Sequence, residues 1–250
     1  MKIAEGVAMF DISSSLALGP DTIHPSLLWD DNAAILVDAG LPGQLPQFKA
    51  VMAECGVAFS RLDKVIITHH DMDHFGGLAA IVREASQKIT ILAHPNEKPY
   101  LETELPPVRL SQMEAQLDSL TGERGQQLKT LYETLKANYP KLKVHVDQTV
   151  EDGAELPDCG GITVIATPGH TPGHICLYLK QSKTLIAGDA LNVTDGKLAP
   201  APKFTILDQA AAVHSLQKLT RYDIEKVICY HGGLFTDNPK QRIAELAAAE

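Results

Sequence analysis

Short apolar runs with the length of buried strands alternate with segments of helical periodicity in the first half of the chain. Residues 33–37, 64–67 and 89–93 are almost wholly apolar, and each run ends at a polar turn. Residues 45–55 and 78–85 carry apolar side chains at helical spacing. This alternation of strands with amphipathic helices predicts an α/β fold.

The second half of the chain repeats the alternation. At the N-terminus, residues 3–10 and 26–29 are also predicted strands, with a turn at Gly19–Pro20 between them. The later strand-like runs cover residues 162–166, 175–179, 184–187 and 226–229, and the later helix-like segments cover residues 207–219 and 239–250. Two sets of strands, each followed by helices, predict two sheets packed face to face with helices outside.

Residues 95–143 depart from this pattern and are predicted to form an inserted helical hairpin. Residues 111–114 match a capping box, which predicts that a helix begins there. This helix is expected to carry Leu120 on its apolar face and to be broken by Gly122 and Gly125, after which a stripe of leucines resumes.

Length and charge restrict the class of protein. The chain has 250 residues, of which 44% are hydrophobic, and this suits one domain with a substantial core. The formal net charge of −9 argues against nucleic acid as a partner, because a phosphate backbone is held by Lys and Arg. No apolar run has the length of a membrane span and no signal peptide is apparent, so a cytoplasmic protein without a membrane partner is expected.

The segment directly after residues 64–67 concentrates metal-binding side chains. His69, His70, Asp71, Asp73 and His74 occupy five of six consecutive positions. Imidazole nitrogen and carboxylate oxygen are the ligand atoms that borderline divalent metals accept. A solvated acidic turn before a helix would account for the aspartates but not for the histidines. The segment therefore predicts a metal site.

The pattern Thr-His-x-x-x-Asp-His-x-Gly-Gly at residues 68–77 resembles the signature of the metallo-β-lactamase superfamily. Residues 167–170, 188–190 and 230–233 match three later motifs of that family in the same order. The resemblance covers nearly the whole chain. It implies an αβ/βα four-layer sandwich with two face-to-face mixed sheets and outer helices, in a single domain whose insertion at 95–143 covers the active-site cleft.

The same resemblance implies a dinuclear metal centre. Zinc is the expected metal, with manganese and iron as alternatives. Asp38 is expected to support the ligands from behind, and Asp73 is also expected to act in catalysis as a proton carrier. The implied ligands are His69, Asp71 and His170 for one metal, Asp73, His74 and His231 for the other, and Asp189 as the bridge.

Asp71 departs from the commoner pattern, which has a histidine at this position. We expect Asp71 to be a ligand, as in the diiron members of the superfamily, which use a carboxylate there. Two alternatives stay open, namely that Asp71 holds a water molecule or that His70 binds the metal instead. His174, in the second of two adjacent Thr-Pro-Gly-His repeats, is expected to form hydrogen bonds within its loop.

The resemblance implies hydrolysis of an activated carbonyl by hydroxide formed at the metals, as in the lactonase and glyoxalase-II-like branch. The expected substrate is a small-molecule lactone, thioester or ester. The alternatives are a diiron redox protein and a β-lactam or phosphoester hydrolase of the same fold. Tyr100, Arg109 and Tyr132 in the insertion are candidate substrate contacts, and dimerisation is the competing role for the insertion's apolar face.

Overall fold

Strands and helices are numbered here in chain order, over residues 1–16, 19–117 and 121–249, which the computed structural model describes. The predicted apolar position of Leu120 lies outside these ranges. The strands are β1 (Lys2–Ala4), β2 (Val7–Met9), β3 (Ile12–Leu16), β4 (Gly19–Ile23), β5 (Ser26–Trp29), β6 (Ala34–Val37), β7 (Lys64–Ile67), β8 (Thr90–Ala93), β9 (Gln148–Thr149), β10 (Glu155–Leu156), β11 (Ile162–Ala166), β12 (Ile175–Leu179), β13 (Thr184–Gly188), β14 (Leu191–Thr194), β15 (Lys197–Pro200), β16 (Lys226–Cys229) and β17 (Gly233–Phe235). The α-helices are α1 (Leu45–Glu54), α2 (Met72–Phe75), α3 (Leu78–Glu84), α4 (Lys98–Leu101), α5 (Val108–Gln116), α6 (Gly122–Asn138), α7 (Gln209–Leu219) and α8 (Pro239–Ala249).

The strands form two main sheets, one from each half of the chain. The first has seven strands in the order β1-β2-β5-β6-β7-β8-β9, and β6 to β9 run parallel. The second has six strands in the order β10-β11-β12-β13-β16-β17, in which β13 and β16 are parallel and the other pairs antiparallel. Both sheets are therefore mixed, as predicted.

Alternation along the central strands explains why their sequences are apolar throughout. Successive strand side chains point to opposite faces of a sheet. In β7, Ile66 packs against residues of the second sheet such as Leu177, whereas Val65 and Ile67 pack on the opposite face with Phe48 of α1. A strand that is covered on both faces has no polar side, so it reads as a continuous apolar run.

Helices cover the outer face of each sheet. On the first sheet, α1 and α3 bury residues such as Met52 and Ile81. On the second sheet, α7 and α8 bury residues such as Leu219 and Ile243. The layers follow the order helix, sheet, sheet, helix, which confirms the predicted αβ/βα sandwich. Within the described ranges, no helix is long and apolar enough to cross a lipid bilayer.

Two predictions for the N-terminal region are wrong in detail. The strand predicted at residues 3–10 is a hairpin of β1 and β2, because the chain turns at Gly6, where φ is +66°. Gly19 and Pro20, predicted as turn residues, begin β4 instead. β4 pairs with β3 in a separate two-stranded ribbon, and such an edge position tolerates proline because no further backbone donor is needed.

The segment predicted as an insertion contains α4, α5 and α6, between β8 and β9. The predicted capping box is wrong, because α5 begins at Val108 with Pro107 at its N-cap, so Ser111 lies inside the helix. Gly125 does not break the helix either, since it lies within α6. A glycine inside a helix costs only about 1 kcal/mol, which packing can offset.

Ile66 provides a test of the contact between the two sheets. We expect Ile66→Ala to lower the free energy of unfolding by about 2–5 kcal/mol, because it leaves a cavity at a fully buried position. Ile66→Val, the matched control, should cost about 0.5–1.5 kcal/mol. Urea unfolding in the presence of a chelator measures both, without a contribution from metal binding. A loss below about 1 kcal/mol for the alanine variant would contradict this packing.

Candidate metal centre

The candidate residues follow strands whose carboxyl ends lie at one edge of the sandwich. In the first sheet, Asp38 follows β6 and residues 68–74 follow β7, which runs parallel to β6. In the second sheet, His170 follows β11, Asp189 follows β13 and His231 follows β16. Ligands from distant parts of the sequence are therefore neighbours in space.

His69, His170 and Asp189 form the first cluster, in which one ligand atom from each residue lies within 4.8 Å of the others. Asp71 lies beside this cluster. Its Oδ2 is 3.0 Å from Nε2 of His170 and 3.6 Å from Nε2 of His69. The structure therefore brings these four residues together.

Asp73, His74 and His231 form the second cluster, also with ligand atoms within 4.8 Å of one another. Oδ2 of Asp73 is 3.2 Å from Nε2 of His231 and 3.7 Å from Nε2 of His74. The short helix α2 holds Asp73 and His74 in its single turn. All three predicted ligands of the second metal are therefore together.

Asp189 lies between the two clusters. Its Oδ1 is 3.3 Å from Nε2 of His74, in the second cluster. Its Oδ2 is 3.5 Å from Nε2 of His170 and 3.6 Å from Nε2 of His231. One carboxylate therefore has oxygens near candidate ligands of both clusters.

Buried polar atoms without a hydrogen-bond partner test whether metal ions fit this arrangement. Among the described side chains, such atoms include Nε2 of His69, Nε2 of His74, Oδ1 of Asp71 and Oδ1 of Asp189. A buried polar atom that lacks a partner is costly, and a metal ion would satisfy lone pairs of this kind. The donor set of imidazole and carboxylate therefore fits divalent metal.

The charges of the cluster shift its pKa values strongly. Burial alone would raise the pKa of Asp189, but the imidazoles of His74 and His231 hold it well below its usual range. Burial would lower the pKa of His74, but the nearby carboxylates of Asp189, Asp38 and Asp73 raise it well above its usual value. The same carboxylate attraction raises the pKa of His231 to about 9. The carboxylates therefore favour positive charge at this point, which metal ions can supply in place of protons.

Asp38 supports the first ligand loop, as predicted. Its backbone is left-handed, with φ at +64°, and its carboxylate accepts hydrogen bonds from Thr68 N and Thr68 Oγ1, both at 2.8 Å. Oδ2 of Asp38 also accepts from Nδ1 of His74 at 2.9 Å. Since the Thr68 hydroxyl gives its proton to Asp38, it accepts from Nδ1 of His69 at 3.1 Å. Nδ1 of both histidines is therefore engaged, which leaves Nε2 of each ring to face the centre.

His174 forms the predicted hydrogen bond within its own loop and a further one, not predicted, to the loop that carries Asp189. Its Nε2 accepts the backbone N–H of Asp189 at 3.0 Å, and Nδ1 donates to the hydroxyl of Thr167 at 2.8 Å. Burial lowers the pKa of His174 to about 3, so the ring is neutral and can accept. Gly188 lies against this ring, and a Cβ there would come within 2.7 Å of Nε2.

His70 points away from the clusters. Its Nδ1 donates to the carboxylate of Glu97, and its Nε2 accepts from the backbone N–H of Val108 at 3.4 Å. Both ring nitrogens are therefore occupied, which favours Asp71 over His70 as the ligand. Glu97 was not apparent from the sequence, because a lone glutamate after a strand carries no motif.

The three residues predicted as candidate substrate contacts have different partners in the structure. Arg109 donates through Nε to Oδ2 of Asp71 at 3.2 Å and through Nη2 to the carbonyl of Thr205. Tyr100 stacks on the ring of His70, with centroids 3.9 Å apart. The hydroxyl of Tyr132 donates to Glu114, within the helical segment. Among these three residues, Arg109 is the one that contacts the candidate ligand Asp71.

A cleft of about 160 Å³ opens beside Asp71, next to the first cluster, and Asp73 of the second. Its polar part consists of Asp71, Asp73 and Arg109. Its remaining lining is mostly apolar and comes largely from the helical segment, with Met72, Pro107, Leu110, Leu135 and Tyr139. A mostly apolar lining with a few polar groups is the character of a small-molecule pocket.

Comparisons with known proteins bear on the family and on the fold. The profile of the Metallo-beta-lactamase superfamily matches residues 18–231. The probable metallo-hydrolase YflN of Bacillus subtilis is 28% identical over 239 residues, which cover 87% of this chain and 83% of that protein. A hydroxyacylglutathione hydrolase of Cereibacter sphaeroides is 27% identical over 166 residues, covering 64% of this chain and 48% of that enzyme.

Solved structures confirm the fold. A metallo-beta-lactamase family protein of Thermus thermophilus matches with a TM-score of 0.70 and 22% identity, covering 99% of this chain and 80% of that one. A metallo-beta-lactamase of Pontibacter korlensis matches with a TM-score of 0.69 and 16% identity, covering 100% and 98%. Since the superfamily profile spans most of the sequence and the fold agrees, the chain belongs to the metallo-beta-lactamase superfamily.

Proposed function

We propose that the chain, a metal-dependent hydrolase of the metallo-beta-lactamase superfamily, uses two metal ions to hydrolyse an activated carbonyl of a small molecule. The observation that carries this proposal is the position of Asp189 between two ligand clusters, with one oxygen near each of His74 and His170. A single-metal protein has no need of two complete clusters that share a carboxylate. We propose zinc as the metal, since imidazoles supply four of the seven candidate ligands, His69, His74, His170 and His231.

The protein's own groups account for orientation and proton transfer. Metal ions bound at the two clusters would supply a hydroxide nucleophile near neutral pH and would polarise the substrate carbonyl. Asp73 lies at the boundary between the second cluster and the cleft, with 14% of its side chain exposed. Its carboxylate can take a proton at the centre and release it to the leaving group. No serine or cysteine nucleophile is required.

The cleft supports a substrate whose carbonyl carries an apolar group. The carbonyl would lie near Asp71 and Asp73, and the apolar group would pack against side chains such as Leu110 and Leu135. Lactones, thioesters and esters meet this description. The similarity to hydroxyacylglutathione hydrolases supports the thioester within this class.

A diiron redox protein is the second candidate function, because Asp71 supplies a carboxylate where a histidine is commoner. The added oxygen ligand makes the first cluster a harder site, which favours iron or manganese more than an all-imidazole site would. Iron content with oxygen uptake would support this alternative over hydrolysis.

Metal analysis and a substrate panel test the proposed function directly. We expect purified protein to contain about two divalent ions per chain and to hydrolyse one class in the panel. The panel consists of an acyl-homoserine lactone, a glutathione thioester, an aryl ester and a β-lactam. Chelator should abolish turnover, and added zinc or manganese should restore it. Protein that binds no metal after reconstitution would overturn the proposal.

Asp189→Asn tests the bridge. The amide keeps the size of the side chain but removes the charge that both clusters share, so we expect less than two ions per chain. We also expect kcat/KM to fall at least about 100-fold, beyond the usual effect of losing a residue that only supports a ligand. Asp237→Asn is the matched control, because Asp237 is exposed and outside both clusters. Full metal content in Asp189→Asn would contradict a bridging role.

The pair formed by Asp71 and Arg109 predicts opposite effects on the pH profile. Asp71→His removes a negative charge beside the centre, which favours deprotonation there and shifts the acidic limb of kcat/KM to lower pH. Arg109→Gln removes a positive charge and shifts this limb to higher pH. Each shift should be on the order of one pH unit, and the double variant should return toward the wild type.

These pH profiles are measured with saturating metal, so that loss of metal does not mimic a shift. The double variant is the internal control, because two unrelated structural defects would add rather than cancel. Shifts of the same sign in both single variants would show that charge at this pair does not tune the centre.

A further inference from the structure

A buried carboxylate outside the ligand set lies behind the centre. Glu97 is fully buried, and neither its charge nor its contacts are used in the proposed chemistry. Its Oε2 accepts from the backbone N–H of His70 at 2.9 Å and from the ring Nδ1 of His70. Its Oε1 accepts from Gly173 N at 2.6 Å and from the hydroxyl of Thr171 at 2.9 Å. Four donors therefore offset the cost of burying this side chain.

The two oxygens of Glu97 face ligand loops that belong to different sheets. His70 lies between His69 and Asp71 in the loop after β7, in the first sheet. Thr171 follows His170 in the loop after β11, in the second sheet. A backbone hydrogen bond from Ile175 N, at the start of β12, to Thr68 O at 3.1 Å also links the two sheets here. Glu97 thus adds four hydrogen bonds to the connection.

Neighbouring residues pack closely around the carboxylate of Glu97 and the ring of His70. Gly173 approaches so closely that a Cβ there would lie 2.9 Å from Oε1 of Glu97 and 2.8 Å from Nδ1 of His94. On the other side, the ring of His70 is stacked on Tyr100, and its Nε2 accepts from Val108 at the start of α5.

Only the first cluster contains residues from both of the loops that Glu97 joins. His69 and Asp71 are on one loop and His170 is on the other, so their separation depends on how the loops are held. In the second cluster, Asp73 and His74 are consecutive, and their supports are Asp38 behind His74 and the hydroxyl of Tyr230 on the carbonyl of Asp73. Glu97 makes none of these contacts in the described structure.

We propose that Glu97 is a positioning residue that sets the spacing of His69 and Asp71 from His170 and thereby determines metal affinity at the first cluster. This inference rests on the proposed function, since it takes both clusters to bind metal. The second cluster should depend little on Glu97. Glu97 itself binds no metal, and its effect passes through His70, Thr171 and Gly173.

The test measures zinc affinity by chelator competition at each cluster separately. In a His231→Ala background the first cluster is the intact one, and in a His170→Ala background the second is intact. Glu97→Gln places an amide NH₂ against donors on one of the two loops, so the contact cannot be kept on both sides. We expect it to weaken zinc binding about 10–100-fold in the His231→Ala background, and less than about threefold in the His170→Ala background.

Glu102→Gln is the matched control for loss of a buried glutamate. Glu102 accepts from Val146 N at 3.0 Å and contacts His145, away from both ligand loops. We expect this variant to keep both affinities. Thr171→Val is a milder variant in case Glu97→Gln does not fold, since it removes one donor and keeps the side-chain shape. It should weaken the first cluster selectively, by a smaller factor.

The test depends on whether Glu97→Gln weakens zinc binding at the first cluster more than at the second. Equal weakening at both clusters, or no weakening at the first, would overturn the role of Glu97 while leaving the proposed function in place. Wild-type protein that binds fewer than two ions would overturn both. In Glu97→Gln with both clusters otherwise intact, excess zinc should restore kcat, whereas a general folding defect would not respond to zinc.

Discussion

Three carboxylates and four imidazoles meet at one buried edge of the sandwich, and the rest of the site depends on keeping them there. Asp71, Asp73 and Asp189 repel one another at short range in a region of low dielectric. The depressed pKa of Asp189 and the raised pKa of His231 both show that these carboxylates attract positive charge. An arrangement of this kind is stable when cations occupy it and when the loops cannot spread apart.

The loops are held by buried polar groups that lie behind the ligands. Asp38 fixes the loop after β7, and His174 ties the second-half loops to the backbone of Asp189. Glu97 connects the two sheets. Much of this anchoring uses backbone N–H groups, which are fixed once the strands are paired. The fold therefore sets much of the ligand geometry before any metal binds.

Sequence alone was sufficient where the signal is local and periodic. The strand β7 was predicted correctly because its apolar run ends directly at the polar residues of the motif. Asp189 and His231 were predicted from the resemblance, and the structure places them beside the motif. Contacts between distant segments were not predictable. Glu97 has no spacing pattern, and its role depends on how the segment after β8 packs against both ligand loops. The predicted helix start at residue 111 failed because Pro107 offered an earlier N-cap.

The contact between Arg109 and Asp71 links the helical segment to the metal centre. A carboxylate at position 71 makes the first cluster one charge more negative than a histidine would. The positive guanidinium of Arg109, which is not a candidate ligand, offsets this added negative charge. Val108, the preceding residue, donates to His70, so two adjacent residues of α5 contact two adjacent residues of the motif. Movement of α5 would therefore change both the charge beside Asp71 and the contacts of His70. The same helix contributes Leu110 to the cleft, so the surface that contacts substrate and the charge that tunes the centre belong to one structural element.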